Sequence, residues 1–231
     1  MRLRASALIA VCLGWCVSGF AQVPPTKAEY AQYTGLFAAA ARNDTGKIVK
    51  LLNAGEYAGM RDAHGRTPLH VAAYRKARDA MRVLATKTGD PNVLDVDGYD
   101  IVTIAAVAND VDTLRVALAV GCGPRLVAGP EANTALIAAA QRGNDAVVRA
   151  LLQAGAPLDY VNKSGRTALA AAVALGNGDR RHTATVKTLV AAGADARIAD
   201  RTGATPVAVA RARGYQEMVA ILESAHARQR P

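Results

Sequence analysis

The sequence predicts an all-α protein, a solenoid of about six stacked helix–loop–helix units. A segment that starts with a helix-capping residue and continues into alanines recurs about every 33 residues along most of the 231-residue chain. Hydrophobic residues make up 51% of the chain but aromatic residues only 4%, which favours closely packed short helices over a β-sandwich or barrel. Runs of β-branched residues do not alternate with helices, which argues against a Rossmann-type βαβ fold.

The first 21 residues have the pattern of a signal peptide. Arg2 and Arg4 give a positive start, residues 5–20 are an apolar run too short for a comfortable membrane span, and small residues favour cleavage after Ala21. An uncleaved anchor is the alternative; a lipoprotein is disfavoured because no small residue precedes either cysteine of this segment. This pattern predicts export, to the bacterial periplasm or beyond.

The mature chain would be basic and would contain a single cysteine. Cleavage removes two of the 28 basic residues and none of the 19 acidic ones, so the net charge falls from +9 to +7. Only Cys122 remains, so no disulfide forms within the chain and stability must come from packing.

Three landmarks keep the same step along the chain. The first is the N-cap residue of a first helix, whose side-chain oxygen accepts a bond from a free backbone N–H: Thr34, Thr67, Asp100, Thr134, Thr167 and Thr205. The second is a residue in the left-handed conformation that ends this helix: Asn43, Lys76, Asn109, Gly143, Gly176 and Gly214. Lys76 departs from the glycine or asparagine expected there, at a cost of about 1 kcal/mol.

The third landmark is an apolar pair near the end of each second helix, such as Leu151-Leu152, which completes the core. We expect Leu152→Ala to cost roughly 2–5 kcal/mol. The units lie near residues 31–65, 66–98, 99–132, 133–165, 166–203 and 204–226, with a linker over 22–30 and a polar tail over 227–231.

The segment GRTPLHVAA, residues 65–73, and the segment LLQAGA, residues 151–156, resemble the ankyrin repeat. Only the copy at 65–73 has the full motif, so the assignment depends on the period. The resemblance implies helix–loop–helix units joined by projecting hairpin-like loops, stacked into a curved solenoid with a concave binding face. It also implies that His70, the motif histidine, bonds backbone near the helix cap.

No residue pattern indicates catalysis, a cofactor or a metal. The histidines have no metal-ligand spacing, and the mature serines, Ser164 and Ser224, lie at a turn and in the tail. Asp95 and Asp97 flank a loop glycine and are interpreted as turn formers. Cys122 occupies a small-residue position and is interpreted as a half-buried hydrophobe, with a redox-sensing or partner-linking thiol as the alternative.

The candidate binding residues are mostly basic. The position before each left-handed residue holds Arg42, Arg75, Ala108, Arg142, Leu175 and Arg213, which predicts a ladder of arginines along the concave side. Loop residues and possible anchors extend the set: His64, Arg66, Tyr74, Tyr99, Glu131, Lys163, Arg166 and Arg201. Such a surface suits a partner with an acidic face, although a solvated charged ridge is the alternative. Nucleic acid is disfavoured because no recognised binding module is present.

Two copies depart from the regular pattern. Residues 177–185 lengthen the fifth unit, and we interpret them as a longer loop between its helices, either decoration or a basic contact element. Residues 128–132 replace the usual hairpin tip, so this hairpin is expected to be irregular.

The sequence therefore predicts a monomeric, non-enzymatic protein-interaction module of the periplasm. The resemblance to exported bacterial ankyrin proteins implies a role in envelope or oxidative stress protection or, alternatively, in neutralising a toxin delivered to the periplasm. An enzyme with an unrecognised site is the remaining alternative.

Overall fold

The structure, a computed structural model, describes residues 23–228, so the signal-peptide interpretation lies outside the described residues. Within this range the chain forms short α-helices and one two-stranded hairpin. They are α1 (Lys27–Gln32), α2 (Gly35–Ala41), α3 (Thr45–Asn53), α4 (Pro68–Tyr74), α5 (Arg78–Ala85), α6 (Ile101–Val107), α7 (Val111–Ala119), β1 (Val127–Ala128), β2 (Asn133–Thr134), α8 (Ala135–Ala140), α9 (Asp145–Gln153), α10 (Ala168–Ala174), α11 (Arg180–Ala191), α12 (Pro206–Ala212) and α13 (Gln216–Arg228).

From α2 onward the helices pair into six units that stack in chain order. The first helices α2, α4, α6, α8, α10 and α12 each contact the next, and the second helices α3, α5, α7, α9, α11 and α13 form a parallel row behind them. Each unit leaves an apolar face that its neighbour covers, as in other repeat proteins. The predicted all-α solenoid is confirmed.

The predicted caps start most of the first helices. The side chains of Asp100, Thr134 and Thr167 accept bonds from the backbone N–H three residues later, at 2.9, 3.3 and 3.2 Å. Thr34 is the exception, because its side chain makes no capping bond. The carboxylate of Glu56 accepts the N–H of Leu36 at 3.0 Å instead.

The left-handed residues are confirmed in five units. Asn43, Lys76 and Asn109 have φ angles of 56°, 57° and 53°, and Gly143 and Gly214 also have positive φ. The prediction for Gly176 is wrong, because in the fifth unit the left-handed residue is Gly178, with a φ of 74°.

The insertion of the fifth unit forms helix, so the prediction of a longer loop is also wrong. Residues 180–185 belong to α11, which has 12 residues where α5 has 8. Asp179 caps this helix by accepting the N–H of His182 at 2.9 Å. The ring of His182 is buried and lies 3.3 Å, through Nε2, from the carbonyl oxygen of Gln141 in the preceding unit. Capping and burial together favour an added helical turn over a free loop.

A short helix, α1, begins in the segment expected to be a linker, residues 22–30, and ends at Gln32 in the first predicted unit. It begins with a capping box, in which Thr26 accepts the N–H of Glu29 and the Glu29 carboxylate accepts the N–H of Thr26. At the other end of the described range, α13 continues to Arg228.

The core consists of alanine-rich first helices and, in every unit but the first, at least one buried member of the apolar pair. Every residue of α8 and α10 is buried, since small side chains let neighbouring helices approach closely. Leu151 is fully buried, whereas Leu152 is only half-buried. The large loss of folding stability predicted for Leu152→Ala is therefore expected for Leu151→Ala instead. In the described range no helix combines the length and the apolar character that a bilayer crossing requires.

Candidate interaction surface

Hairpin turns of one design precede several first helices. Asp62, Asp95, Asn162 and Asp200 each accept, through Oδ1, the N–H groups two and four residues later, at 2.8–3.3 Å. A glycine with positive φ closes each turn: Gly65, Gly98, Gly165 and Gly203. The interpretation of Asp95 as a turn former is thus confirmed. These bonds give the turns a defined backbone shape.

Hydrogen bonds also join one hairpin to the next. Val96 donates its N–H to the carbonyl of His64 at 3.0 Å, and Lys163 donates to the carbonyl of Glu131 at 2.9 Å. The guanidinium of Arg61 reaches the carbonyls of both Gly65 and Leu94 at 2.8 Å. The hairpin that joins units three and four contains β1 and β2, paired antiparallel, with Ala132 at a φ of 55° as its irregular residue.

The tips of these hairpins carry exposed side chains. Val96 is 66% exposed, and Lys163 and Arg201 are exposed as well. The side chain of His64 is 45% exposed and lies 3.3 Å, through Nε2, from a carboxylate oxygen of Glu29. The structure therefore places three of the predicted loop residues, His64, Lys163 and Arg201, on one row of hairpin tips that also contains Val96, and we call it the hairpin row.

Two of the predicted contact residues are buried, so they are structural. The Arg66 side chain is 1% exposed and bonds the carboxylates of Asp62 and Glu29. Hydrogen bonds to both carboxylates raise the pKa of Arg66 against the opposing effect of burial. Tyr99 is 6% exposed and packs in the core. Both residues directly follow a hairpin glycine, and their side chains point into the protein. The repeat alignment did not show this orientation.

Three more of the predicted contact residues are half-buried. Arg166 lies 3.9 Å, through Nε, from a carboxylate oxygen of Asp200, and Glu131 accepts a bond from the hydroxyl of Ser164. Tyr74 has a buried hydroxyl without a hydrogen-bond partner among the described residues. Each can contribute the edge of a contact surface, but none projects freely.

The predicted arginine ladder forms only in part. Arg42, Arg75 and Arg213 are exposed at the ends of α2, α4 and α12. Arg75 donates to the carbonyl of Ala41 at 3.4 Å and Arg213 to that of Gly176 at 3.2 Å, so each also links its unit to the preceding one. Arg142 is half-buried, and burial lowers the pKa of its guanidinium.

His70 and Cys122 have structural surroundings. His70 accepts the hydroxyl of Thr67 at 2.8 Å through Nδ1 and donates through Nε2 to the carbonyl of Tyr99 at 3.1 Å, which confirms its bond to backbone. Burial lowers the pKa of His70 to about 4, so the ring is neutral. Burial raises the pKa of the Cys122 thiol to about 12, which favours its interpretation as a small hydrophobe.

Within residues 23–228 no three His, Cys, Asp or Glu side chains converge as metal ligands.

The sequence interpretation missed Lys27 and Tyr30 as candidate binding residues, because it treated the start of α1 as a linker. The signal that could have revealed this helix is the spacing of Thr26 and Glu29, which is that of a capping box.

Comparisons with known proteins agree on the fold. A family model described as ankyrin repeats (3 copies) matches residues 24–95 and 102–180. The potassium channel AKT2/3 of Arabidopsis thaliana is 30% identical over 154 residues, which are 66% of this chain and 18% of the channel. The chain thus spans less than a fifth of that relative.

Two solved structures extend the comparison. An ankyrin repeat domain from Acinetobacter baumannii AYE is 35% identical, with a TM-score of 0.76, over 83% of this chain and 97% of that domain. A predatory endopeptidase from Bdellovibrio bacteriovorus in complex with an immunity protein includes a chain with a TM-score of 0.69 and 24% identity, over 83% of this chain and 98% of that chain. At that identity the likeness concerns the fold alone.

Proposed function

Because the chain belongs to the ankyrin-repeat family, whose repeats are protein–protein interaction modules, we propose that it binds another protein and catalyses no reaction. The observation that carries this proposal is the hairpin row. Its backbone is held by bonds from the turn-forming Asx side chains and between hairpins, while Val96, Lys163 and Arg201 project outward. Rigid backbone with exposed side chains lowers the ordering cost of binding.

The proposed partner has an acidic surface, and the protein binds it as a monomer. Lys163 and Arg201 on the hairpin row and Arg42, Arg75 and Arg213 on the first-helix ends are all exposed cations. The excess of 28 basic over 19 acidic residues in the whole chain adds a general attraction for such a partner. Complementary charge speeds encounter and favours the correct partner.

We place this binding in the bacterial periplasm, in envelope or oxidative stress protection, on the strength of the N-terminal signal pattern. A second candidate is an immunity protein that binds and blocks an enzyme delivered there. A chain of this fold is found in the complex of a predatory endopeptidase with an immunity protein, which is the reason to keep this candidate.

The test is affinity capture of a partner from an envelope extract, compared between variants. The tip variant Lys163→Glu/Arg201→Glu reverses two charges of the hairpin row, and the control Lys47→Glu/Lys187→Glu reverses two exposed charges on α3 and α11. We expect the wild type and the control to retain one protein, and the tip variant to retain at least about tenfold less of it. Thermal melts establish that all three proteins are folded.

Equal capture by the tip variant and the control would contradict a role for the hairpin row. Failure of the wild type to enrich any protein over a bare matrix would contradict the proposed function itself. An endopeptidase or toxin as the retained protein would select the immunity candidate over stress protection.

A further inference from the structure

A small basic pocket opens where α1 meets the first two units. It has a volume of about 270 Å³ and lies between α1, the end of α2 and the end of α4. Its lining residues are Lys27, Tyr30, Ala38, Ala41, Arg42 and Arg75. The volume suits one side chain of a partner, and the alanines are small enough to leave it open.

The three cations of this pocket have no acidic partner among the described residues. Lys27 and Arg42 form no ion pair or side-chain hydrogen bond there, and Arg75 bonds only the carbonyl of Ala41. The carboxylate of α1, Glu29, is occupied by Arg66, His64 and the backbone of Thr26. Three cations therefore line this pocket, and no ion pair neutralises any of them among the described residues.

Several other arginines in the described range, in contrast, pair with a carboxylate. Arg78 lies 3.0 Å from Asp110, Arg82 lies 2.6 Å from Asp79, and Arg149 lies 2.6 Å from Asp145. Converging like charges repel one another, and an anion relieves that repulsion.

Aromatic contacts hold the wall of the pocket in place. The guanidinium carbon of Arg75 lies 5.0 Å from the ring centroid of Tyr30, a cation–π distance. The Tyr30 ring meets Tyr33 edge to face at 5.8 Å, and Tyr33 stacks on Phe37 at 5.1 Å. This chain of rings orients the Arg75 head group before any ligand arrives.

We propose that this pocket binds the carboxylate of an aspartate or glutamate side chain of the partner protein. The inference rests on the proposed function and adds to it the place where one acidic residue docks. Arg42 and Lys27 supply charge, Arg75 presents N–H donors, and Tyr30 with the alanines contacts the methylene groups of the side chain. A guanidinium presents paired donors that match the two oxygens of a carboxylate.

The experiment is an NMR titration of the ¹⁵N-labelled mature protein with three probes. They are an acetylated and amidated Gly-Glu-Glu-Gly peptide, its Gly-Gln-Gln-Gly analogue, and inorganic phosphate. We expect the glutamate peptide to shift signals of Tyr30, Arg42 and Arg75, and the glutamine peptide to leave them unchanged. Arg42→Gln should weaken glutamate-peptide binding about fivefold, because a part-exposed charge contact contributes about 1 kcal/mol.

The matched control is Arg115→Gln, which removes the same charge from an exposed side chain of α7. Arg42 makes no internal ion pair, so its replacement should leave the melt unchanged. Equal peptide affinity in Arg42→Gln and the wild type, or shifts confined to other regions, would overturn the proposal. Tighter binding of phosphate than of the glutamate peptide would overturn the choice of a carboxylate.

The two proposals fail separately. If Arg42→Gln captures the envelope partner as well as the wild type does while the tip variant loses it, the pocket proposal falls and the proposed function stands. If the glutamate peptide binds at the pocket but the wild type enriches no protein, the proposed function falls instead.

Discussion

Lowering the pH from 7 to 5 should remove the stability that comes from keeping the buried His70 neutral. His70 is 1% exposed, and its ring accepts a bond from Thr67 and donates one to the carbonyl of Tyr99 in the next unit. Burial lowers its pKa from 6.5 to about 4, so the unfolded chain takes up a proton on acidification before the folded chain does. The stability that comes from keeping His70 neutral is therefore complete above about pH 6.5 and is lost as the pH falls towards 4.

The magnitude follows from that difference. At pH 5 the unfolded histidine is almost fully protonated and the folded one mostly neutral, so the free energy of unfolding should drop by about 2 kcal/mol relative to pH 7. The carboxylates of Glu29 and Asp62 have lowered pKa values, and their stabilising effects are lost mainly below pH 5. Burial raises the pKa values of Asp95, Asp100 and Asp159, so the folded chain takes up protons there before the unfolded chain does and gains stability on acidification. The drop of about 2 kcal/mol is therefore the contribution of the histidine alone, measured as a difference from a variant without it.

The assay is urea unfolding of the wild type and of His70→Gln at both pH values. Glutamine suits the third helical position, since its side chain can complete a capping box without titrating. We expect the variant to be less stable at pH 7, and the wild type to lose about 2 kcal/mol more than the variant between pH 7 and pH 5. A change in the free energy of unfolding that is equal in the two proteins would refute the reasoning.

Three further predictions test the packing and the buried groups. Leu151→Ala should lower the free energy of unfolding by about 2–5 kcal/mol and Leu152→Ala by clearly less, because only Leu151 is fully buried; equal losses in chemical denaturation would contradict this register. Arg66→Leu should cost about 3 kcal/mol, because it leaves the carboxylates of Asp62 and Glu29 without their buried partner; an unchanged melt would count against that contact. In a chain produced without residues 1–21, Cys122, which is 4% exposed and has a pKa of about 12, should react with Ellman's reagent at pH 8 at least about a hundredfold slower in the native state than in urea; rapid native labelling would support a reactive thiol instead.

Features that depend on local backbone chemistry could be predicted from the sequence. The N-caps at Asp100 and Thr167 and the left-handed Asn43 follow from residue identity and spacing, whereas the left-handed Lys76 follows from the spacing alone. The order of the helices follows from the period, because a repeated unit buries its apolar face only against the next copy.

Features that depend on tertiary contact could not be predicted in this way. The insertion of the fifth unit became helix because His182 is buried against the unit before it. Arg66 is buried because α1 brings Glu29 to it. The alignment placed both residues at a surface, since a repeat pattern gives the position of a residue but not what its neighbours present to it.

The candidate site likewise has one part that could be predicted from the sequence and one part that could not. The exposed Lys163 and Arg201 occupy the hairpin tips that the repeat pattern indicates. The pocket beside Arg42 needed Lys27 and Tyr30, which lie before the first repeat and therefore outside any periodic pattern.

The helix α1 makes the two ends of the described stack different, because it covers part of the first unit. It precedes α2 as a hairpin precedes each later first helix, and it contacts the hairpin around Asp62, to which Tyr33 donates its hydroxyl at 2.7 Å. At the opposite end α12 buries only Pro206 and Ala210. Within the described residues this face of α12 is uncovered, so a further repeat could be grafted after α13 to pack against it, whereas a repeat added before α2 would first have to displace α1. Engineered variants of this protein should grow from their C-terminal side.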